Sequence, residues 1–233
     1  MIYLAGFLAY FIKGLCGFAN TLVFQSVLRL SGTSLSVNIT PLECLLSWPF
    51  NLLMTWNKRA YLKLKRVAGL IVLVLGGAVI GVFLLKNLHG VWLNRLFGIT
   101  VILIALDLLL VKRKSDPDSP LLKIIGFLSG ILCGLFGVGA FLAAYMNRVS
   151  DSSDEFKANL SAVFIFENSF RLLLYGMNGM LGMAVIKQVL LCLPVSLLGL
   201  YAGIKCSQFV SEKTAKIFVL GALLVSGLYL LFA

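Results

Sequence analysis

Residues 6–20 read GFLAYFIKGLCGFAN, and residues 126–140 read GFLSGILCGLFGVGA. At a constant offset of 120 residues, the two stretches share six identities, which are Gly6/Gly126, Phe7/Phe127, Leu8/Leu128, Gly14/Gly134, Leu15/Leu135 and Gly17/Gly137. Each stretch interrupts a hydrophobic segment with glycine. Hydrophobic segments that are broken at corresponding places in two halves of a chain are typical of membrane transporters. The pattern therefore predicts a duplicated transport protein.

The composition is that of an integral membrane protein. Hydrophobic residues make up 60% of the 233 residues, charged residues make up only 12%, and the mean hydropathy is +1.01. An ordinary soluble domain is about 45–50% apolar and about 25% charged. We therefore expect an all-α polytopic membrane protein that contacts membrane lipids over most of its surface.

The net charge of +11 does not indicate a nucleic-acid partner, because the basic residues lie in short loops between hydrophobic segments. Basic residues in such loops set the orientation of the chain and meet anionic lipid headgroups. The chain has one histidine, His89, and its five cysteines form no CxxC pair, so we expect no metal site. It also lacks a P-loop motif for nucleotide binding. The sequence therefore calls for no cofactor.

The hydrophobic segments divide the chain into two repeats of about four segments each. We predict one transmembrane domain over 1–233, with repeat 1 at 1–111, a cytoplasmic linker at 112–123 and repeat 2 at 124–233. The eight segments fall at about 2–30, 39–56, 67–85, 96–111, 124–145, 159–176, 184–204 and 217–233. The first and fifth segments contain the glycine clusters.

The distribution of basic residues favours a re-entrant arrangement for those two broken segments. If both dip into the membrane and return, the loops 57–66, 112–123, 146–158 and 205–216 share one face. These loops hold 14 basic residues, whereas the opposite loops hold 4, which are Arg29, Lys86, Arg95 and Lys187. Because basic loops tend to be cytoplasmic, we predict inverted repeats with both termini outside. If all eight segments cross, the basic residues divide almost evenly.

The glycine breaks are the first candidates for a binding site. A break leaves backbone N–H groups free at the start of the next half-helix, where the helix dipole favours anions. Two breaks brought together by inverted repeats would form such a site near the midplane, and the alternative is close packing of helices through small residues. The candidate glycines are Gly14, Gly17, Gly134, Gly137 and Gly139, with Asn20 and Asn159 as neighbouring polar groups that could instead cap helices.

Ionisable residues within the hydrophobic segments are costly and tend to be functional. Lys13 precedes Gly14 and is a candidate for the anion site. Glu167 and Arg171 are four residues apart on one helical face, so we expect them to pair. This pair could serve proton coupling through Glu167 and substrate binding through Arg171, or it could be structural. Glu43 is a second ion-coupling candidate, although it could simply reach water.

The two hairpins of the form Gly-Phe-Leu…Gly-x-x-Gly, each followed by an Asn-Leu-Ser/Thr type of helix start, resemble the sulfite exporter TauE/SafE family over nearly the whole chain. The resemblance implies a secondary transporter that exports sulfite, a sulfonate or a related organic anion across the bacterial inner membrane. It implies coupling to an ion gradient, of H⁺ or Na⁺. We expect alternating access at the midplane site between the repeats, in a monomer or homodimer. A passive anion channel is the alternative. An enzyme is not expected, since no nucleophile has a base in reach.

Overall fold

The computed structural model describes residues 1–17, 19–31, 36–87, 91–110 and 120–209, together with 217, 221, 224–225 and 228. Within these ranges all regular structure is helical, as predicted. The helices are α1 (Ile2–Cys16), α2 (Asn20–Leu30), α3 (Ser36–Asn57), α4 (Leu64–Asn87), α5 (Val91–Leu110), α6 (Pro120–Phe136), α7 (Ala140–Val149), α8 (Ser153–Met177) and α9 (Met183–Cys206), with a 3₁₀ turn at Arg59–Tyr61. His89, the linker 112–119 and most of the segment 217–233 lie outside the described residues.

Helices α4 and α9 are long and apolar enough to cross a membrane. At 1.5 Å of rise per residue, each is about 36 Å long, which exceeds the roughly 30 Å of a bilayer's hydrocarbon core. The two hydrophobic segments with glycine clusters are each divided into two helices. The first is divided into α1 and α2, and the fifth into α6 and α7.

The chain folds into two compact units. Unit 1 comprises Met1–Glu43, Leu88–Val111 and Gly182–Ala233, and unit 2 comprises Cys44–Asn87 and Lys112–Leu181. In unit 1, α1 packs against α9 and α2. In unit 2, α6 packs against α4 and α7, and α8 packs against α4 and α7. Each unit therefore takes helices from both halves of the sequence, and the boundaries of the predicted repeats remain a prediction.

Glycine forms the contact between α4 and α6 in unit 2. A Cβ atom on Gly81 would overlap the main chain of α6 at Ile131 and Gly134, and a Cβ atom on Gly134 would overlap α4 at Ala78 and Gly81. Small residues at a helix interface allow the two backbones to approach closely, which strengthens packing in a membrane. The packing role that the sequence indicates as an alternative therefore applies to Gly134.

Unit 1 has the same kind of contact between α1 and α9. A Cβ atom on Gly14 would overlap the main chain of α9 at Leu200 and Ile204, and one on Gly203 would overlap α1 at Phe11. Gly14 thus lies against a neighbouring helix, like Gly134 in unit 2. The absence of a side chain at both positions has a packing explanation that is independent of any ligand.

Charged side chains join two connectors at one end of unit 2. Glu155 pairs with Lys63 at 2.8 Å and with Arg66 at 3.0 Å, and Asp151 pairs with Arg66 at 3.0 Å. Lys58 pairs with Asp154 at 2.6 Å. The hydrogen bond to Glu155 raises the pKa of Lys63, and the hydrogen bond from Arg66 lowers the pKa of Asp151. Both shifts favour the charged forms of Lys63 and Asp151.

The other end of unit 2 is held by a single described hydrogen bond between connectors. The Lys86 ammonium, in the last turn of α4, donates to the side-chain oxygen of Asn178 at 3.0 Å. Asn178 follows the end of α8, and its amide nitrogen donates to the carbonyl of Leu174 at 2.8 Å. The end of α4 and the end of α8 are therefore adjacent.

Neighbouring glycines of α4 give a matched test of the packing. We expect Gly77→Ala to lower the melting temperature of the detergent-solubilised protein, because its Cβ would overlap the main chain of α6 at Phe127 and Ile131. Overpacking of this kind costs about 1–3 kcal/mol. In Gly76→Ala the new Cβ would lie at an ordinary 3.8 Å from the Phe127 ring, so its effect should be neutral or stabilising by up to about 1 kcal/mol. Equal melting temperatures for the two variants would contradict this account.

Candidate functional site

The break in unit 1 is formed by a left-handed glycine. Helix α1 ends at Cys16, and Gly17 follows with φ of 82°, its N–H donating to the carbonyl of Lys13 at 2.7 Å. A positive φ favours glycine because it has no Cβ atom, and this geometry is a common way to end a helix. Ala19, with φ of 70°, precedes α2, whose first turn receives no side-chain cap from it.

Four buried polar side chains surround this break. They are Lys13 of α1, Asn20 and Thr21 of α2, and Glu43 of α3, and none is more than 9% exposed. One oxygen of Glu43 accepts hydrogen bonds from the Asn20 amide and from the Thr21 hydroxyl, both at 2.8 Å. The charge of Glu43 also acts on Lys13, whose ammonium lies 5.8 Å from the centre of the Tyr10 ring. We refer to Lys13, Asn20, Thr21 and Glu43 as the Lys13 cluster.

The Lys13 cluster surrounds a buried carboxylate. An amide N–H₂ and a hydroxyl donate to Glu43 at the start of α2, where the helix dipole is positive, and the charge of Glu43 acts on the Lys13 ammonium. Hydrogen bonds to a charged acceptor are stronger than neutral ones, and a buried charge needs partners of this kind. The same donors suit any small oxyanion that can take the place of the carboxylate.

The break in unit 2 has the same backbone geometry. Helix α6 ends at Phe136, and Gly137 follows with φ of 71°, its N–H donating to the carbonyl of Cys133 at 2.7 Å. Gly139 is the residue before α7, and a Cβ atom there would overlap the ring of Phe164. Gly139 is therefore needed for the close approach of α8.

A buried arginine from α8 holds the end of α6. The Arg171 guanidinium donates to the carbonyl of Cys133 at 2.6 Å and to the side-chain oxygen of Asn168 at 2.7 Å, and its Nε lies 2.5 Å from Glu167. The Tyr175 hydroxyl donates to the carbonyl of Gly134 at 3.2 Å. The predicted pairing of Glu167 with Arg171 is confirmed. We refer to Glu167, Asn168, Arg171 and Tyr175 as the Arg171 cluster.

A comparison with known protein families decides the identity. A family model described as Sulfite exporter TauE/SafE matches residues 2–230, which is nearly the whole chain. The chain belongs to this family. No curated protein and no solved structure matches the chain. The TauE/SafE assignment identifies a membrane transporter of the sulfite and sulfonate exporter type, and the members of the family are transporters, not enzymes.

Several predicted residues of this TauE/SafE protein come together, and one does not. Lys13, Gly17, Asn20 and Glu43 meet at the first break, and Gly137 and Arg171 meet at the second, as described above. Asn159 lies near the start of α8, where its side-chain oxygen accepts the backbone N–H of Lys63 at 2.8 Å. The helical rise from Asn159 to Arg171 is about 18 Å. Asn159 thus fixes a connector, and its described hydrogen bond is to that connector.

The structure disagrees with one of the two interpretations of Glu43, namely that its side chain reaches water. It is only 1% exposed and is bonded to α2, so it does not reach solvent at the end of its segment. Two residues of these clusters, Thr21 and Asn168, are not predicted from the sequence. Thr21 follows Asn20 directly, and Asn168 is three residues before Arg171 on the same face of α8, so both positions had a local indication in the sequence.

The position of Arg29 differs from the sequence prediction. The sequence predicts an outer loop, but Arg29 belongs to the last turn of α2 and is 7% exposed. Its guanidinium lies 4.6 Å from the centre of the Phe97 ring and donates to the Gln25 side chain at 3.2 Å. The spacing of Gln25 and Arg29, four residues apart, was the available indication that the helix continues to this point. Within the described residues, no group of His, Cys, Asp and Glu is arranged to hold a metal ion.

Proposed function

We propose that this protein is a secondary transporter that exports a small oxyanion, sulfite, a sulfonate or a related organic anion, and that the Lys13 cluster is its binding site. The observation behind the proposal is the set of donors from Asn20, Thr21 and Lys13 around a buried carboxylate at the start of α2. Sulfite and sulfonates present negatively charged oxygens of the same kind as a carboxylate. The donors that hold Glu43 can therefore hold such a substrate.

Glu43 supplies a means of proton coupling in this proposal. While it is ionised, it occupies the donors and neutralises Lys13. Protonation removes its charge, so that an incoming anion can take its place beside Lys13. For a singly charged anion, such as a sulfonate or hydrogen sulfite, the loaded site then has the same net charge as the empty one, because a proton and the anion enter together. The outward gradient of the anion drives export, and the empty site can return without moving charge.

Glu43 is a better coupling residue than Glu167, which the sequence placed first. Glu167 forms an ion pair with Arg171 on its own helix, and Arg171 is also bonded to the main chain of α6. Glu43, in contrast, is held by a neutral amide and a neutral hydroxyl and interacts with the cation of a different helix. Its hydrogen-bond donors remain useful after the carboxylate leaves, because they can bind the substrate.

The re-entrant arrangement belongs to the same proposal. Its support is a set of contacts between connectors. If all eight segments crossed the membrane, the connectors in each contact would lie on opposite faces. The connector 57–66 is ion-paired with 146–158 through Lys63 and Glu155. At the other end, Lys86 is bonded to Asn178. With the basic connectors in the cytoplasm, both termini are outside a bacterial inner membrane, and the anion site alternates between the two faces.

Cysteine labelling tests this topology. In a chain with its native cysteines replaced, Lys65→Cys and Ser153→Cys should react with an impermeant maleimide only after the cells are permeabilised. Met183→Cys, beyond the end of α8, should react in intact cells, because the re-entrant arrangement puts 177–183 outside. Labelling of Lys65→Cys and Ser153→Cys from opposite faces would rule out the re-entrant arrangement.

Lys13→Gln tests the binding site. Loss of a charged hydrogen-bond partner costs about 1.5–3 kcal/mol, so we expect sulfite to bind roughly 10- to 100-fold more weakly to the folded variant. Binding is measured on purified protein, and transport is measured as counterflow of labelled sulfite into proteoliposomes. Lys86→Gln, which changes an exposed lysine at the end of α4, is the control and should bind normally. Unchanged binding by Lys13→Gln contradicts the proposed site, and an ohmic sulfite current in place of counterflow indicates a channel.

Glu43→Gln and Glu167→Gln separate the two coupling candidates. Glu43→Gln should retain sulfite exchange at all pH values but lose proton-driven accumulation, because its side chain cannot be charged. Glu167→Gln should remain coupled. The opposite result, with coupling lost only in Glu167→Gln, returns the role to Glu167, and a response to sodium but not to pH excludes proton coupling.

A further inference from the structure

The end of α6 leaves main-chain carbonyls that need hydrogen-bond donors. The last four carbonyls of any helix lack a partner within that helix, and the hydrocarbon core of a membrane offers no water in their place. The Cys133 carbonyl accepts two hydrogen bonds, from Gly137 N–H at 2.7 Å and from Arg171 at 2.6 Å. The Gly134 carbonyl accepts the Tyr175 hydroxyl. Side chains of α8 thus complete the end of α6.

The contacts of Arg171 are those of a structural cap. Two of its guanidinium nitrogens donate hydrogen bonds, to the Cys133 carbonyl and to the Asn168 side chain, and its Nε forms an ion pair with Glu167. The side chain is almost fully buried, and Glu167 balances its charge. The end of a helix has a partial charge of about −0.5, which attracts a cation. A planar guanidinium can satisfy several acceptors at fixed angles, whereas a lysine ammonium cannot reproduce that fork.

The corresponding positions of the first half hold neutral side chains. At the offset of 120 residues, Ser47 and Asn51 stand opposite Glu167 and Arg171. They form a neutral pair in α3, in which the Asn51 amide donates to the Ser47 hydroxyl at 3.3 Å. The buried cation of the first break is Lys13, on the broken helix itself. Its partner is the exchangeable carboxylate of Glu43, whereas Arg171 is bound to a main-chain carbonyl that cannot leave.

We propose that Arg171, with Tyr175, is a positioning residue that fixes the α6–α7 break by capping α6, and that it does not contact the transported anion. This assignment replaces the substrate-binding role that the sequence suggested for Arg171. It concerns the local geometry of unit 2 and can be tested without any transport measurement, so it can be judged even if the proposed anion specificity is wrong.

Cys133 is a native reporter of this break. Its side chain is completely buried, and its thiol lies 3.5 Å from the carbonyl of Val138, beyond the left-handed Gly137. If Arg171 caps α6, then Arg171→Gln should open the break and expose the Cys133 thiol. We expect Cys133 to be alkylated by a small maleimide roughly tenfold faster than in the wild type, which is the effect of losing one charge-assisted hydrogen bond. Peptide mass spectrometry of the otherwise native full-length protein measures the rate.

Cys192 provides the internal control, because it is also fully buried but belongs to α9 in unit 1. Its alkylation rate should not change in Arg171→Gln. The dissociation constant for sulfite should also stay within about twofold of wild type, while Lys13→Gln should show the reverse pattern, with weaker binding and unchanged Cys133 reactivity. Arg171→Lys should fall between wild type and Arg171→Gln in Cys133 reactivity, because it keeps the charge and loses the fork.

Three outcomes would overturn the proposal. The first is a weaker affinity for sulfite in Arg171→Gln with unchanged Cys133 alkylation, which would make Arg171 a substrate contact. The second is an equal rise at Cys133 and Cys192, which would mean general loosening. If Arg171→Gln does not fold, Tyr175→Phe decides the matter, since it removes only the hydroxyl that reaches Gly134. Faster Cys133 alkylation with normal sulfite binding in Tyr175→Phe supports the cap. The third outcome that would overturn the proposal is an unchanged rate of Cys133 alkylation in this variant.

Discussion

A helix that stops inside a membrane leaves peptide groups where no water can bind them. Two helices of this protein, α1 and α6, end in the same backbone turn, which supplies a hydrogen bond to one of these peptide groups. Gly17 and Gly137 adopt positive φ angles and donate their N–H groups to the carbonyls of Lys13 and Cys133. At the second break, Arg171 and Tyr175 supply further donors. At the first, buried donors gather around the carboxylate of Glu43. The two breaks thus share a backbone solution and differ in their side chains.

This difference separates a replaceable ligand from a permanent one. In the proposed mechanism, the Glu43 carboxylate loses its charge, and its donors then bind the transported anion. A main-chain carbonyl at the end of a helix has no such charge to lose. The break that contains the Glu43 carboxylate is suited to binding and releasing an anion. The break in which the Arg171 guanidinium binds a main-chain oxygen is suited to holding the helices in fixed positions.

Much of the fold could be predicted from the sequence, because hydrophobic length and helical periodicity are local properties. The helical class followed from hydrophobic length, and the pairing of Glu167 with Arg171 followed from spacing along one helix. Contacts between helices could not be predicted. Glu43 and Asn20 lie on different helices. The Cys133 carbonyl is a main-chain group, so no residue type in the sequence indicates that it accepts a hydrogen bond from Arg171. The burial of Arg29 and the position of Asn159 likewise depend on which helices meet.

The pairing of α1 with α9 has a consequence for how the protein is made. The glycine face of α1 lies against a helix that spans Met183–Cys206, so α1 packs on a helix that is synthesised much later. At roughly 5–20 residues per second, α9 is completed about 10 to 40 seconds after α1. Throughout that interval α1 must reside in the bilayer without its partner, and unit 1 cannot close. Its assembly is therefore a late event in biogenesis, whereas α4 and α6 of unit 2 can pair while the ribosome is still synthesising the chain.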